Sequence, residues 1–350
     1  MGTDGRRLPP RVSRTREGSS SSGVWMLCGP IPISATQQAR IAAYAASRHQ
    51  VSRSPFGPDD ECGMLNLMDA ESRRAALREA DAGRPFDLAV DYFVGMPVWT
   101  AVGDPTFQMW MSHTPAGNTI DNPIGVSPEQ NDLVSYSGDC IAMYTHCGTH
   151  VDTFTHFGYH GKIWNGFSAE KDLGSRNWHR AGADKQPPVL ARGILIDVAG
   201  AKGLTMLPDE YAISGRDLLE ALKRQRTELR PGDVVLIRTG RMTVWPDQER
   251  FVPNAPGINR EAAEFLAKGG AILVGSDSAG VEQGPSQDPE NWMPVHCYLL
   301  AEAGIPLLEM ANLEELAAEQ VYEFAFLGSC LKIRGATGSP IRPIALPLRG

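Results

Sequence analysis

Four of the chain's eight histidines, His146, His150, His156 and His160, fall within fifteen of its 350 residues, where even spreading would place fewer than one. The segment reads His146-Cys-Gly-Thr-His150-Val-Asp152-Thr-Phe-Thr-His156-Phe-Gly-Tyr-His160. Thr149, Val151, Thr153 and Thr155 are β-branched and Gly148 interrupts any helix, so an extended or looped backbone is expected. Alternate side chains of an extended chain share a face. His146, Gly148, His150, Asp152, Phe154 and His156 then line one side, presenting three imidazoles and a carboxylate. That donor set suits Zn²⁺ and also serves Mn²⁺, Fe²⁺ or Co²⁺. Such an ion lowers the pKa of a bound water toward about 7 and supplies a hydroxide nucleophile.

Spacing limits which of these side chains share an ion. At about 3.3 Å per residue, His150 and Asp152 reach one ion, whereas His146 lies about 13 Å from His150 on a straight strand. A fold at Gly148 brings it back, and close backbone approach to a metal also favours a residue without a side chain. His156 lies too far along for the same ion unless the chain curls, which suits it to a general-base role. Cys147 lies between ligand positions and reads as a bystander. His160 reads as a hydrogen-bonding or solvent-facing residue, and His113 and Trp110 as candidates for a pocket wall. No Gly-x-Ser-x-Gly elbow is present, and the glycines around Gly232 to Gly240 lack phosphate-loop spacing.

The elements that must hold this segment are mixed. Asp69 caps an expected helix over 70–81 that ends at Gly83. Phe86 to Val90 and Met96 to Trp99 read as short strands. Gly193 to Val198, Asp233 to Arg238 and Ala271 to Val274 read as buried strands, alternating with a helix capped by Ser214 and another, Arg260 to Lys268, capped by Asn259. Tyr322 to Ile333 and Ile341 to Leu346 read as closing strands. The class is α/β. No linker follows residue 36, so one domain over 36–350 is expected behind an N-terminal tail, 1–35, whose arginines, prolines and serine run bury too little apolar surface to order themselves.

Composition narrows the function. A net charge of -8, from 33 basic and 41 acidic side chains without a basic block, excludes a nucleic-acid partner. No stretch approaches the roughly 18 apolar residues of a membrane span. The six cysteines are scattered without a C-x-x-C pair, which points to a reducing, cytoplasmic setting. Arg6-Arg7 hints at an export signal, but the apolar piece after it is short and broken by Pro30 and Pro32.

The run His146-x-Gly-Thr-His150-x-Asp152-x-x-x-His156 resembles the signature of the metal-dependent cyclase family, which includes bacterial kynurenine formamidase and isatin hydrolase. Four more segments carry the resemblance: Phe56-Gly-Pro-Asp-Asp-Glu-x-Gly63-x-x-Asn66; Gly275-x-Asp277; His296 with Leu299-Leu300, Gly304-Ile305 and Glu309; and Gly335-Ala-Thr-Gly-Ser-Pro340-x-Arg-Pro343. Together they cover about 52 to 348.

The resemblance implies a swivelling β/β/α-type domain with a barrel-like β core. It assigns His146, His150 and Asp152 to one divalent ion and Asp152, His296 and Glu309 to a second, with Zn²⁺ foremost and Mn²⁺ next. His156 takes the position of the catalytic proton shuttle, and Trp99, in Met96-Pro-Val-Trp99, that of an aromatic contacting substrate. Phe154 stands where the formamidases carry proline. With the continuation Gly161-Lys-Ile-Trp164-Asn165-Gly166, the chain resembles the longer branch of the family. The implied activity is hydrolysis of a C–N bond in an amide, lactam or N-formyl group of a cyclic or aromatic small molecule, or cyclase, dehydratase or lactone chemistry at the same site. A homodimer or homotetramer is implied by the same analogy.

Overall fold

The computed structural model describes residues 49–349, so the tail expected over residues 1–35 lies outside the described residues. The strands are β1 (Phe86–Asp87), β2 (Gln108–His113), β3 (Gly138–Ala142), β4 (His150–Asp152), β5 (Val189–Asp197), β6 (Ala212–Ile213), β7 (Val234–Arg238), β8 (Gly257–Ile258), β9 (Leu273–Ser276), β10 (Leu307–Glu309), β11 (Glu323–Gly328), β12 (Gly338–Pro340) and β13 (Ile344–Pro347). Nine of them form one sheet in the order β1-β13-β11-β5-β7-β9-β10-β4-β12. The centre, β5 to β10, is parallel, and antiparallel strands extend it on both sides. The mixed α/β class and the barrel-like β core are both present, the sheet curling into a half-barrel.

The central strands are continuous apolar runs because both of their faces are covered. Ile194, Ile196, Val235, Ile237 and Val274 pack on one face against Leu218 and Leu222 of helix α1 (Gly215–Gln225) and Ala262 and Leu266 of helix α2 (Arg260–Lys268). Leu195, Val234, Leu236 and Leu273 pack on the other with Leu65, Phe86, Leu88, Phe324 and Phe326. The caps fall where the sequence puts them. Ser214 Oγ accepts from the Asp217 amide while Asp217 accepts from Ser214 N–H, a reciprocal box, and Asn259 accepts from Ala262 N–H.

Some boundaries differ. The helix begun by Asp69 spans Ala70–Glu79, two residues shorter than expected. Met96 to Trp99 forms no strand, although Met96 and Val98 are buried. The Val98 backbone bonds on both sides to the Gln248 side-chain amide, which takes the place of a neighbouring strand. The strand expected up to Ile333 ends at Gly328.

β2 and β3 form a separate antiparallel ribbon, closed by two short helices, Pro115–Asp121 and Pro128–Leu133. Its apolar side chains face outward: Trp110 is 51% exposed and Leu133 83%. No helix among the described residues is long and apolar enough to cross a membrane.

Arg238, the last residue of β7, ties three elements together. Its buried guanidinium donates to Asp197 Oδ1 at 2.9 Å, to both oxygens of Glu314 at 2.9 and 2.7 Å, and to the Thr205 carbonyl at 3.1 Å. Removing one member of such a pair leaves the other charge uncompensated. Arg238→Ala is therefore expected to lower unfolding free energy by about 3–5 kcal/mol, read as a shifted urea midpoint at unchanged slope; a midpoint within error of wild type would contradict it.

Candidate metal centre

The motif segment is extended only over β4, which lies between β10 and β12. The register sets His150 opposite Glu309 and Pro340, and Asp152 opposite Leu307 and Gly338. Directly opposed side chains of antiparallel strands share a face, so His150 and Asp152 project beside Glu309 while Val151 enters the core. Thr149 locks the strand's start. Its hydroxyl donates to the Met310 carbonyl at 2.7 Å and accepts from Val90 N–H, and its carbonyl accepts from the Tyr92 hydroxyl.

Two turns bring the flanking histidines in. Gly148 has φ +59°, the left-handed region open to glycine, and the Tyr92 ring occupies the space a side chain would need. This reversal returns His146 to the face of Asp152, with His146 Nδ1 2.6 Å from Asp152 Oδ1 and Nε2 2.9 Å from Thr337 Oγ1. The His146 ring packs where a side chain at position 338 would stand, which explains the glycine there. Beyond β4, a turn closed by His156 N–H to the Thr153 carbonyl curls the chain back. The His156 ring then stacks on His146 with centroids 3.8 Å apart. Phe154, expected on the same face, instead is fully buried against Trp164, because the strand ends before it.

The five expected ligands converge. His150, Asp152 and Glu309 place donor atoms within 4.8 Å of one another, and so do His146, Asp152 and His156. Asp152 is common to both groups. His296 Nε2 lies 3.0 Å from Glu309 Oε1 and 3.6 Å from Asp152 Oδ2, joining the two. His156 Nε2 is 3.9 Å from Asp152 Oδ2. Trp99 is 42% exposed, and among the described residues no ring contact or hydrogen bond joins it to the cluster. The aromatic neighbours are Tyr144, 5.0 Å from His146, and Phe157, 4.4 Å from His156 and 5.1 Å from His296, with Trp292 5.5 Å from Phe157.

The electrostatics set two buried carboxylates against the surrounding imidazoles. Burial opposes charge on Asp152, yet the imidazoles of His156 and His146, the bond to His146 and the nearby His150 ring hold its carboxyl well below the ordinary range. Burial and the Asp152 charge work against the Glu309 carboxylate, but the nearby His150 imidazole and the bond to His296 bring it to about 2. On His150 burial disfavours the imidazolium, and the two carboxylates outweigh it, raising the pKa to about 10. Burial pushes His156 down to about 3, leaving it neutral.

The donor set fits a divalent ion on geometry. His150 Nδ1 is 2.8 Å from the Gly148 carbonyl, which turns Nε2 toward Asp152 at 3.3 Å and Glu309 at 3.4 Å. That Nε2 and Asp152 Oδ2 are both buried without a hydrogen-bond partner. Two orphaned polar atoms converging on one point are costly unless something bonds them, and a metal ion takes both.

The sequence places a pocket wall in the 279 to 294 loop, which carries Trp292, but singles out none of Glu282, Thr337 and Phe157. Phe157 adjoins His156 and was readable from the motif; the other two come from distant segments. Cys147, expected as a bystander, is fully buried against Met96, Val98 and Phe107, and burial raises its thiol to about 11.

Known proteins share this architecture. A family model described as "Putative cyclase" matches residues 86–283. An isatin hydrolase from Roseibium aggregatum is 30% identical over 136 residues, 37% of this chain, and the chain spans about half (51%) of that relative's length. A crystal structure described as a novel cyclase superposes with TM-score 0.74 at 29% identity, covering 85% of this chain and 99% of that one. An isatin hydrolase solved with the product analogue thioisatinate superposes with TM-score 0.57 at 21% identity, over 80% of this chain and all of the other. With the family model spanning more than half of its length, the chain belongs to the cyclase family.

Proposed function

We propose that this protein is a hydrolase that opens the C–N bond of an amide, lactam or N-formyl group in a cyclic or aromatic small molecule. His146, His150, Asp152, His296 and Glu309 would hold one or two divalent ions, Zn²⁺ foremost and Mn²⁺ next, with His156 as proton shuttle. The observation that carries this reading is the convergence of orphaned His150 Nε2 and Asp152 Oδ2 beside Glu309. When bound, the ion would supply Lewis acidity, polarising a carbonyl and lowering the pKa of a water to about 7.

The chain's own residues account for the remaining needs. His156 is stacked on His146, with Nε2 3.9 Å from Asp152 Oδ2, so its imidazole is placed to accept the proton of an attacking water and return it to the departing nitrogen. Phe157 and Trp292 form an apolar edge beside His156 and His296 suited to a flat ring. The related enzyme named for isatin, a cyclic amide fused to an aromatic ring, supports this substrate class.

We also infer that the β2–β3 ribbon packs on a second copy of this chain. A lone two-stranded ribbon is marginal in water, and residues 106–142 contain no lysine or arginine of the kind that guards free edges. Nine large apolar residues from Met109 to Ile141 are 45 to 83% exposed. At about 150–250 Å² per large side chain they offer on the order of 1,000 Å², against about 800 Å² per partner in a stable interface.

Dialysis against a chelator is expected to abolish turnover of cyclic amides and N-formyl aromatics, and Zn²⁺ or Mn²⁺ to restore it; full activity in metal-free protein would refute the metal reading. His156→Ala is expected to lower kcat by about 10²–10⁴-fold at unchanged metal content, and wild-type turnover would remove the shuttle role. Light scattering should show an oligomer that Trp110→Glu with Met111→Glu dissociates. A monomeric wild type, or an oligomer indifferent to both charges, would place any interface elsewhere.

A further inference from the structure

Glu282 lies thirteen residues or more from every expected ligand in sequence, in the loop after β9, and is 6% exposed. Its carboxylate is turned onto one residue. Oε2 lies 2.5 Å from His296 Nδ1 and accepts from the His296 amide at 2.9 Å, while Oε1 accepts from Val295 N–H at 3.3 Å. The backbone of Glu282 is itself pinned. It bridges Ile258 of β8 in parallel, with Ile258 N–H donating to the Val281 carbonyl and Gln283 N–H to the Ile258 carbonyl.

We propose that Glu282 is a positioning residue that holds the Nδ1–H of His296 and so aims Nε2 into the metal centre; this rests on the metal-centre reading above. A carboxylate is an acceptor only, so the short contact places the proton on Nδ1. Nε2 then faces Glu309 Oε1 at 3.0 Å and Asp152 Oδ2 at 3.6 Å. A divalent cation bound there would take the place of any proton that Nε2 shares with these carboxylates. The preceding residue acts in concert, since Val281 N–H donates to Glu309 Oε1 at 2.9 Å. Two consecutive residues of one loop thus hold two of the metal-facing groups. Carboxylates that orient metal-bound histidines raise ligand basicity and fix the ring, and their loss weakens metal binding.

The test compares wild type, Glu282→Gln and Glu282→Ala by Zn²⁺ and Co²⁺ dissociation constants, measured in competition with a chromogenic chelator, alongside thermal unfolding of the metal-free proteins. Gln keeps the shape and one acceptor oxygen but not the charge. Kd is expected to rise about 10–100-fold in Glu282→Ala, and by a smaller factor in Glu282→Gln. Should either folded variant bind both ions as tightly as wild type, with only the metal-free unfolding temperature altered, Glu282 is a structural residue and the proposal fails alone. If wild type binds neither ion, the metal-centre reading fails and takes this proposal with it.

Discussion

Asp152 is a carboxylate with no solvent exposure, set on a three-residue strand between two neighbours, and the surrounding architecture follows from how it is tolerated. A buried charge costs several kcal/mol unless countercharge and hydrogen bonds surround it. Glu309 doubles the difficulty by bringing a second buried carboxylate across the strand pair. Four imidazoles, each within 4 Å of Asp152 or Glu309, answer it. The β4–β10 register decides this arrangement, because a slip of one residue would turn His150 and Asp152 into the core and Val151 outward.

The sequence exposed much of this because its signals are local. Caps at Ser214 and Asn259 and the apolar runs of β5 and β7 rest on nearest neighbours and on burial, and these elements lie where the residues put them. The histidine-rich motif advertised its chemistry by composition, and Gly148 disclosed the reversal that returns His146. Segments whose partners lie far away were harder to read. Met96 and Val98 alternate like a strand but bond to one glutamine side chain at position 248, a contact with no signature in either segment.

The motif brought the side chains of the centre to notice, but not the contacts that assemble them. His156 has ligand-range geometry only because the chain turns at Thr153, and that turn depends on the Thr337 carbonyl and Ala336 carbonyl gripping the Thr153 backbone and hydroxyl. The motif alone contains no trace of those partners. Glu282 escaped for a related reason, since an isolated glutamate in a polar loop looks like any solvated residue until the fold sets it against His296.

The loop from Ala279 to Trp292 carries an aromatic ring beside the reaction face and, a few residues earlier, the groups that steady Glu309 and His296. On the proposed reading, recognition and ion retention are written on one stretch of backbone, and an exchange of this loop for another, made to alter what the site accepts, would transplant part of the metal's support with it.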